Sequence, residues 1–222
     1  MKTRSAITII LLMFGVASIS RAQSGMSTEN WQDIRVGPMF TAGESINAGD
    51  VTTGTKTGTQ FAFTAGAFGL YPFTSNIGFL LGLAYDSRGV NFHPENDVNT
   101  YVDYTFSYFS IQPMFDLGGF TIGVGLGVPI GASVSVASTS LYPNGVTQST
   151  SSMNFMVEGR IGGAIPIFSN DHGDLRLLLS AAYPFTKIVQ NQYLFGGDAT
   201  HNNGPLATGQ IGLTYLFDLT PH

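Results

Sequence analysis

Between Phe120 and Val136 the chain reads FTIGVGLGVPIGASVSV, and every second residue is apolar. Ile122, Val124, Leu126, Val128, Ile130, Ala132, Val134 and Val136 share one phase. Thr121, Gly123, Gly125, Gly127, Pro129, Gly131, Ser133 and Ser135 share the other. A period of two is that of a β-strand, whose side chains point alternately to opposite faces. One face is a row of aliphatic branches, and the other is nearly bare backbone without a charge. Ordinary strands average about 5–6 residues. This stretch exceeds the ~9–11 residues that a tilted strand needs to cross a bilayer. Lipid on one side and a crowded interior on the other account for both faces. The glycines do not make a dinucleotide loop, because the third positions of the two GxGxxG frames are Val128 and Ile130.

The same alternation recurs along the chain. Strands are expected over about Gln32–Gly43, Thr59–Tyr71, Ile77–Asn91, Val102–Asp116, Phe120–Val136, Ser152–Phe168, Asp174–Ile188 and Leu206–Leu219. In the sixth, Met153, Phe155, Val157, Ile161, Ile165 and Ile167 read as outward. Connections alternate between long polar loops and short turns, as in a barrel with long outer loops and short periplasmic turns. Eight strands closing on themselves leave no free edge and pair every amide inside the membrane. Charged residues are 10% of the chain, against roughly 25% in an ordinary soluble domain. A lipocalin-type soluble barrel would put its charges outside, and the uncharged second face of Phe120–Val136 argues against it.

The first 22 residues have the form of a secretory signal. Lys2 and Arg4 form the charged start, Ala6 to Val16 is apolar, and Ser20-Arg21-Ala22 is a small-x-small cleavage site. Without Lys2, Arg4 and Arg21, nine basic residues fall to six against fourteen acidic ones, a net charge of −8. No basic patch is left for nucleic acid. The chain has no Cys, which excludes disulfides, thiolate metal sites and a lipidated N-terminal Cys. The reading is an all-β, eight-stranded antiparallel up-and-down transmembrane β-barrel over 32–219. A signal peptide (1–22) and a short periplasmic segment (23–31) precede it, with Trp31 either at the membrane interface or packed against a periplasmic turn.

Strand eight carries Gln210-Ile211-Gly212-Leu213-Thr214-Tyr215-Leu216-Phe217. It resembles the terminal signal by which outer-membrane barrels are recognised for insertion, with Gln210, Gly212, Tyr215 and Phe217 at the matching positions. Asp218 to His222 follow the last aromatic, a departure from that pattern. Ala65 to Val90, AGAFGLYPFTSNIGFLLGLAYDSRGV, resembles the core hairpin of the PorT-like outer-membrane β-barrel family. The resemblance implies a barrel of the small eight-stranded type, with lipid and the barrel-assembly machinery as partners. It assigns no activity.

Four of the six remaining basic residues, Arg35, Arg88, Arg160 and Arg176, fall on the inward phase, as do Asp86, Asp116, Glu158 and Asp218. At mid-depth an Arg facing lipid would cost about 2–4 kcal/mol, so these side chains belong in the lumen. Counting residues from the short turns puts Asp86, Arg88, Glu158 and Arg160 at one depth, a neutral cluster that closes the lumen. Replacing Glu158 and Arg160 by Ala is expected to open a leak. A lower cluster should join Arg35 and Arg176 to Asp116 or Asp218. The function expected is a structural or surface-interaction role, with the long loops offered to an extracellular ligand. A small porin is the alternative, and a lipid-modifying enzyme a second one. The enzyme would need His93 or His201 beside a Ser and an acid, and no such arrangement stands out. His93, Glu95 and Asp97 share one loop at a loose spacing for a metal. No cofactor is expected.

Overall fold

The computed structural model describes residues 34–137, 150–190 and 202–219. The expected signal segment, Trp31 and His201 lie outside the described residues. The strands are β1 (Arg35–Asn47), β2 (Thr55–Gly58), β3 (Gln60–Thr74), β4 (Ile77–Pro94), β5 (Val102–Leu117), β6 (Phe120–Val136), β7 (Met156–Asn170), β8 (Gly173–Pro184) and β9 (Leu206–Asp218). All pairings are antiparallel, and the order β2-β4-β3-β1-β9-β8-β7-β6-β5 closes through β4–β5. The result is a barrel.

β2 corrects the expected long loop after strand one. It pairs with β4 as Gly58↔Asn91, whereas β3 pairs as Phe63↔Ser87, one residue out of register. β2 and β3 are therefore one stave broken near Thr59, and the barrel has eight staves. The Ser45 hydroxyl on β1 fills the break. It accepts from the Gly89 amide at 2.8 Å and donates to the Gly89 carbonyl at 2.5 Å. Its Thr/Gly-rich sequence hid β2, since TKTG carries no apolar alternation.

The three short turns are two residues each, at Ser75–Asn76, Gly118–Gly119 and Asp171–His172. Gly118 and Gly119 have φ of 69° and 93°, the pair of positive values that a tight hairpin requires. The long-loop end is taller. β4, β5 and β6 rise above the point where the β6–β7 ladder ends, at Gly127↔Met156.

A bulge changes β6 near its top. Tyr108 pairs with Pro129 and Ser107 with Gly131, so Ile130 is the extra residue. Pro129 has no N–H to give a ladder, which suits it to a bulge. Below the bulge, Ile122, Val124, Leu126, Val128 and Ile130 face outward and are exposed. Above it, Ala132, Val134 and Val136 turn inward onto the core, while Ser133 and Ser135 are exposed. The expectation that all eight aliphatic residues share one face is corrected at this point. Met153, expected outward, is also buried. It lies beyond the end of β7, in an isolated bridge to Val189.

The outer surface carries a belt of exposed large apolar residues. Aromatic side chains edge it at both levels. Phe40, Phe61, Phe63 and Tyr85 cluster toward the long loops, with Phe63 and Tyr85 stacked at 5.6 Å. Tyr71–Phe73, Phe79–Phe115 and Tyr215–Phe217 pair toward the short turns. From Ile77 to Tyr85 a strand rises ~27 Å, which a tilt of about 40° reduces to ~21 Å. The hydroxyls of Tyr85 and Tyr215 bond to Ser107 and Asn170, polar groups at the two edges.

Candidate functional site: the filled lumen

Inward-facing side chains lie in layers along the lumen. Asp86 and Arg88 lie two residues apart on one face of β4. Glu158 and Arg160 do the same on β7, across the barrel. The structure brings these four together. Arg88 Nε and Nη2 donate to Asp86 Oδ1 and Oδ2 at 2.8 and 2.9 Å, a bidentate pair. Arg88 Nη1 lies 2.6 Å from Glu158 Oε2. Arg160 Nη1 lies 2.8 Å from Glu158 Oε1 and 3.4 Å from Asp86 Oδ2. All four are buried, at 4% exposure or less. Two cations and two anions make the layer neutral, the condition under which buried charge is tolerated.

The bare face of β6 explains how Glu158 fits. Gly125 pairs with Glu158, and a Cβ on Gly125 would lie 2.4 Å from Glu158 Oε1. A side chain there would push the carboxylate out of its layer. Gly123 and Gly127 leave similar room for Met114 and Met156. The glycines of that face are seats for side chains arriving from neighbouring staves.

The lower layer lies near the short turns. Arg35 reaches Asp218, at 2.5 Å from its Nε, and also Asp174. Arg176 Nη2 bonds Asp174 at 2.9 Å, and its Nη1 lies 3.6 Å from Asp116. Asp174, at the start of β8, joins both arginines, and sequence reasoning did not include it. The sequence places it at the start of an expected strand but gives no sign of its partners.

Between the charged layers sits an apolar one: Met39, Phe68, Leu70, Leu80, Ala84, Met114, Ala164, Leu178 and Leu216. It encloses a cavity of about 40 Å³, with Arg160 and Arg176 among its lining residues. That is room for a few waters. At the long-loop end a second apolar cluster caps the upper charged layer. Phe92, Tyr104, Phe106 and Tyr108 from the wall meet Met153, Met156, Ile188 and Val189 there. The charge cluster expected to close the lumen alone is thus one of four layers.

In the insertion segment, Ile211, Leu213 and Phe217 are exposed on the outer face, with Tyr215 on the same phase. Gln210 points inward, where its Oε1 accepts from Thr41 and Thr64 at 2.8 and 3.0 Å. At Gly212 a Cβ would lie 1.9 Å from the Phe40 carbonyl oxygen, so β1 and β9 approach closely at this glycine. These contacts tie the last strand to the first.

Against known proteins, no family model and no curated sequence matches this chain. Several solved structures are similar to it. The attachment invasion locus protein Ail of Yersinia pestis, solved with the heparin analogue sucrose octasulfate, is 16% identical. It covers 83% of this chain and 98% of its own, at a TM-score of 0.41. The outer membrane protein OprG of Pseudomonas aeruginosa is 15% identical over 84% of this chain and 96% of its own, at 0.37. The outer membrane protein AlkL, solved in lipid bilayers, is 17% identical over 90% and 96%, at 0.39. The barrel architecture rests on its own closed pairing order, not on these likenesses.

The loop residues weighed for a metal are engaged separately. His93 Nδ1 lies 2.9 Å from the Pro94 carbonyl oxygen. Glu95 pairs with Lys56 at 3.1 Å. Hydrogen bonds from the Thr100 side chain and the Asn99 amide hold the exposed Asp97 carboxyl below its ordinary pKa.

Proposed function

We propose that the chain is an integral outer-membrane barrel whose filled lumen conducts nothing and whose long-loop end faces outward for surface interactions. The observation that carries this reading is the outer belt of exposed apolar side chains, bounded by aromatics at both edges. Such a belt costs free energy in water and matches the ~25 Å apolar band of a membrane barrel with aromatic girdles. Closed pairing meets the backbone's need for partners in lipid. The signal peptide over 1–22, the resemblance to PorT-like barrels and insertion by the assembly machinery belong to the same proposal. Its remaining partners are membrane lipid and an extracellular ligand of the loops. Catalysis and a cofactor are not part of it.

The layered interior supports the absence of conduction, because two apolar layers alternate with two ion-paired ones. Removing Glu158 and Arg160 takes away half of one layer and leaves the Asp86–Arg88 pair and the apolar cap above it. We therefore expect Glu158→Ala/Arg160→Ala to remain closed by itself, in place of the leak expected from the sequence. The test is reconstitution of the mature chain into planar bilayers. A heat-modifiable barrel in the membrane fraction with no unitary conductance supports the reading. Steady single-channel currents from the wild type would establish a small porin instead, and a barrel soluble without detergent would end the membrane reading.

A further inference from the structure

The apolar cap at the long-loop end is built partly from the barrel wall and partly from two segments beyond β7 and β8. Residues 150–155 and 187–190 pair irregularly. Asn154 donates to Ile188 O at 2.9 Å, Gln190 donates to Ser152 O at 2.8 Å, and Met153 bridges Val189. Between this pair and the barrel, the regular β7–β8 ladder ends at Glu158↔Pro184. There the Thr186 hydroxyl, 3.2 Å away, takes the Val157 amide proton that a strand carbonyl would otherwise accept. On the other side, the β6–β7 ladder has already ended at Gly127↔Met156. The two segments are thus joined to the barrel at Pro184–Thr186, where the Phe185 amide still donates to Val157 O at 2.7 Å but a hydroxyl replaces the next strand carbonyl. Their inner side chains, Met153, Ile188 and Val189, are buried against Met156 of β7 and Phe92, Tyr104, Phe106 and Tyr108.

A separate element holds them down. The side-chain amide of Asn203 is bonded to both backbone groups of Val189. Its Oδ1 accepts from Val189 N at 3.0 Å, and its Nδ2 donates to Val189 O at 2.7 Å. A side chain here takes the part of a neighbouring strand. Asn202, next to it, has φ 58° and is fully buried. Its Oδ1 accepts from Thr52 N at 3.0 Å, its Nδ2 donates to Thr52 Oγ1 at 3.1 Å, and its own N–H donates to Asp50 O at 2.9 Å. The connection into β9 is therefore pinned to the β1–β2 loop by one asparagine and grips Val189 with the next.

We infer that residues 150–155 and 187–190 form a flap over the mouth of the barrel, hinged at Pro184–Thr186 and latched by Asn203. A latch made of two hydrogen bonds from one side chain to one residue can release without breaking any barrel ladder. The inference rests on pairing geometry and stands or falls separately from the membrane reading and from conduction.

The chain has no cysteine, so single reporters can be placed. Met153→Cys sits under the flap, and Leu178→Cys lies in the apolar layer deep in the lumen. Each is made with Asn203 intact and with Asn203→Ala. Labelling by a water-soluble maleimide is followed on the folded, detergent-solubilised barrel. With the latch intact both reporters should react slowly. Asn203→Ala should speed Met153→Cys about tenfold, equivalent to ~1.4 kcal/mol, and leave Leu178→Cys slow. Unchanged labelling at Met153→Cys overturns the flap. Equal acceleration at both reporters also overturns it, since Asn203 would then support the whole barrel. If Met153→Cys does not fold, Val189→Cys serves under the same criteria.

Discussion

Replacing Arg160 by Met removes one of the two cations in the upper layer while keeping most of the volume. Asp86 and Glu158 then remain buried with Arg88 alone between them. Arg88 holds Asp86 through two bonds and lies 2.6 Å from Glu158, so neither carboxylate is wholly abandoned. The layer nevertheless carries one uncompensated negative charge in a space with at most 4% exposure. Breaking a buried pair in this way costs about 3–5 kcal/mol. The lower half of that range is expected here, because Arg88 still bridges both acids. Glu158→Gln alone leaves the opposite excess charge and should cost a similar amount. Combined, Arg160→Met and Glu158→Gln leave only the bidentate Asp86–Arg88 pair, which is neutral. The double variant should lie within about 1–2 kcal/mol of wild type, a coupling of several kcal/mol in a double-mutant cycle. Urea unfolding of the barrel in lipid vesicles, followed by circular dichroism, measures all four corners. A double variant at least as unstable as the sum of the singles would show that charge balance does not hold this layer together.

Three further outcomes follow from local geometry. Gly125→Ala should destabilise by about 1–3 kcal/mol through its clash with the Glu158 carboxylate, whereas Gly209→Ala, with no atom within 4 Å of its Cβ, should be nearly neutral; thermal unfolding compares them. Tyr215→Ser with Phe217→Ser removes the paired aromatics of the last strand, at 4.6 Å, and should reduce the heat-modifiable, protease-resistant barrel in the membrane fraction; a normal yield would remove the role assigned to them. Arg35→Ala leaves Asp116, Asp174 and Asp218 with Arg176 alone, so its unfolding midpoint should fall further in low salt than in high salt, while equal loss at both would point to packing instead.

The staves and their facing were legible because period two survives over most of each strand. The inward positions of Asp86, Arg88, Glu158 and Arg160 followed from parity, and their common depth from counting up from the turns. Other features leave no mark on periodicity. β2 is four residues of Thr, Lys and Gly, and it is a strand because β4 offers it an edge. Met153 kept the outward parity of β7 in the sequence, but it lies past the end of the ladder, where parity no longer fixes direction. Asp174 opens an expected strand, but its spacing does not show that its partners, Arg35 and Arg176, come from β1 and from its own strand. The apolar cap escaped notice because its residues fall on strand ends and in loops, far apart in sequence.

The bulge at Ile130 has a consequence for how this sequence tolerates insertions and deletions. On either side of it the aliphatic letters keep the same spacing, so an alignment would treat the run as one uniform span. In space the run serves two solvents: lipid-facing below and core-facing above. Closing the ladder with Ile130 kept in register would therefore act like many simultaneous substitutions. It would turn Ala132, Val134 and Val136 out toward water and bring Ser133 and Ser135 against the aromatic cap, whereas deleting Ile130 would close the ladder and leave their facing unchanged. Conservative exchanges of Ile130 should be absorbed, since the position is exposed. The quantity under constraint between Val128 and Ala132 is the parity of facing, which the bulge or the loss of its one extra residue preserves, and the identity of the letters is secondary.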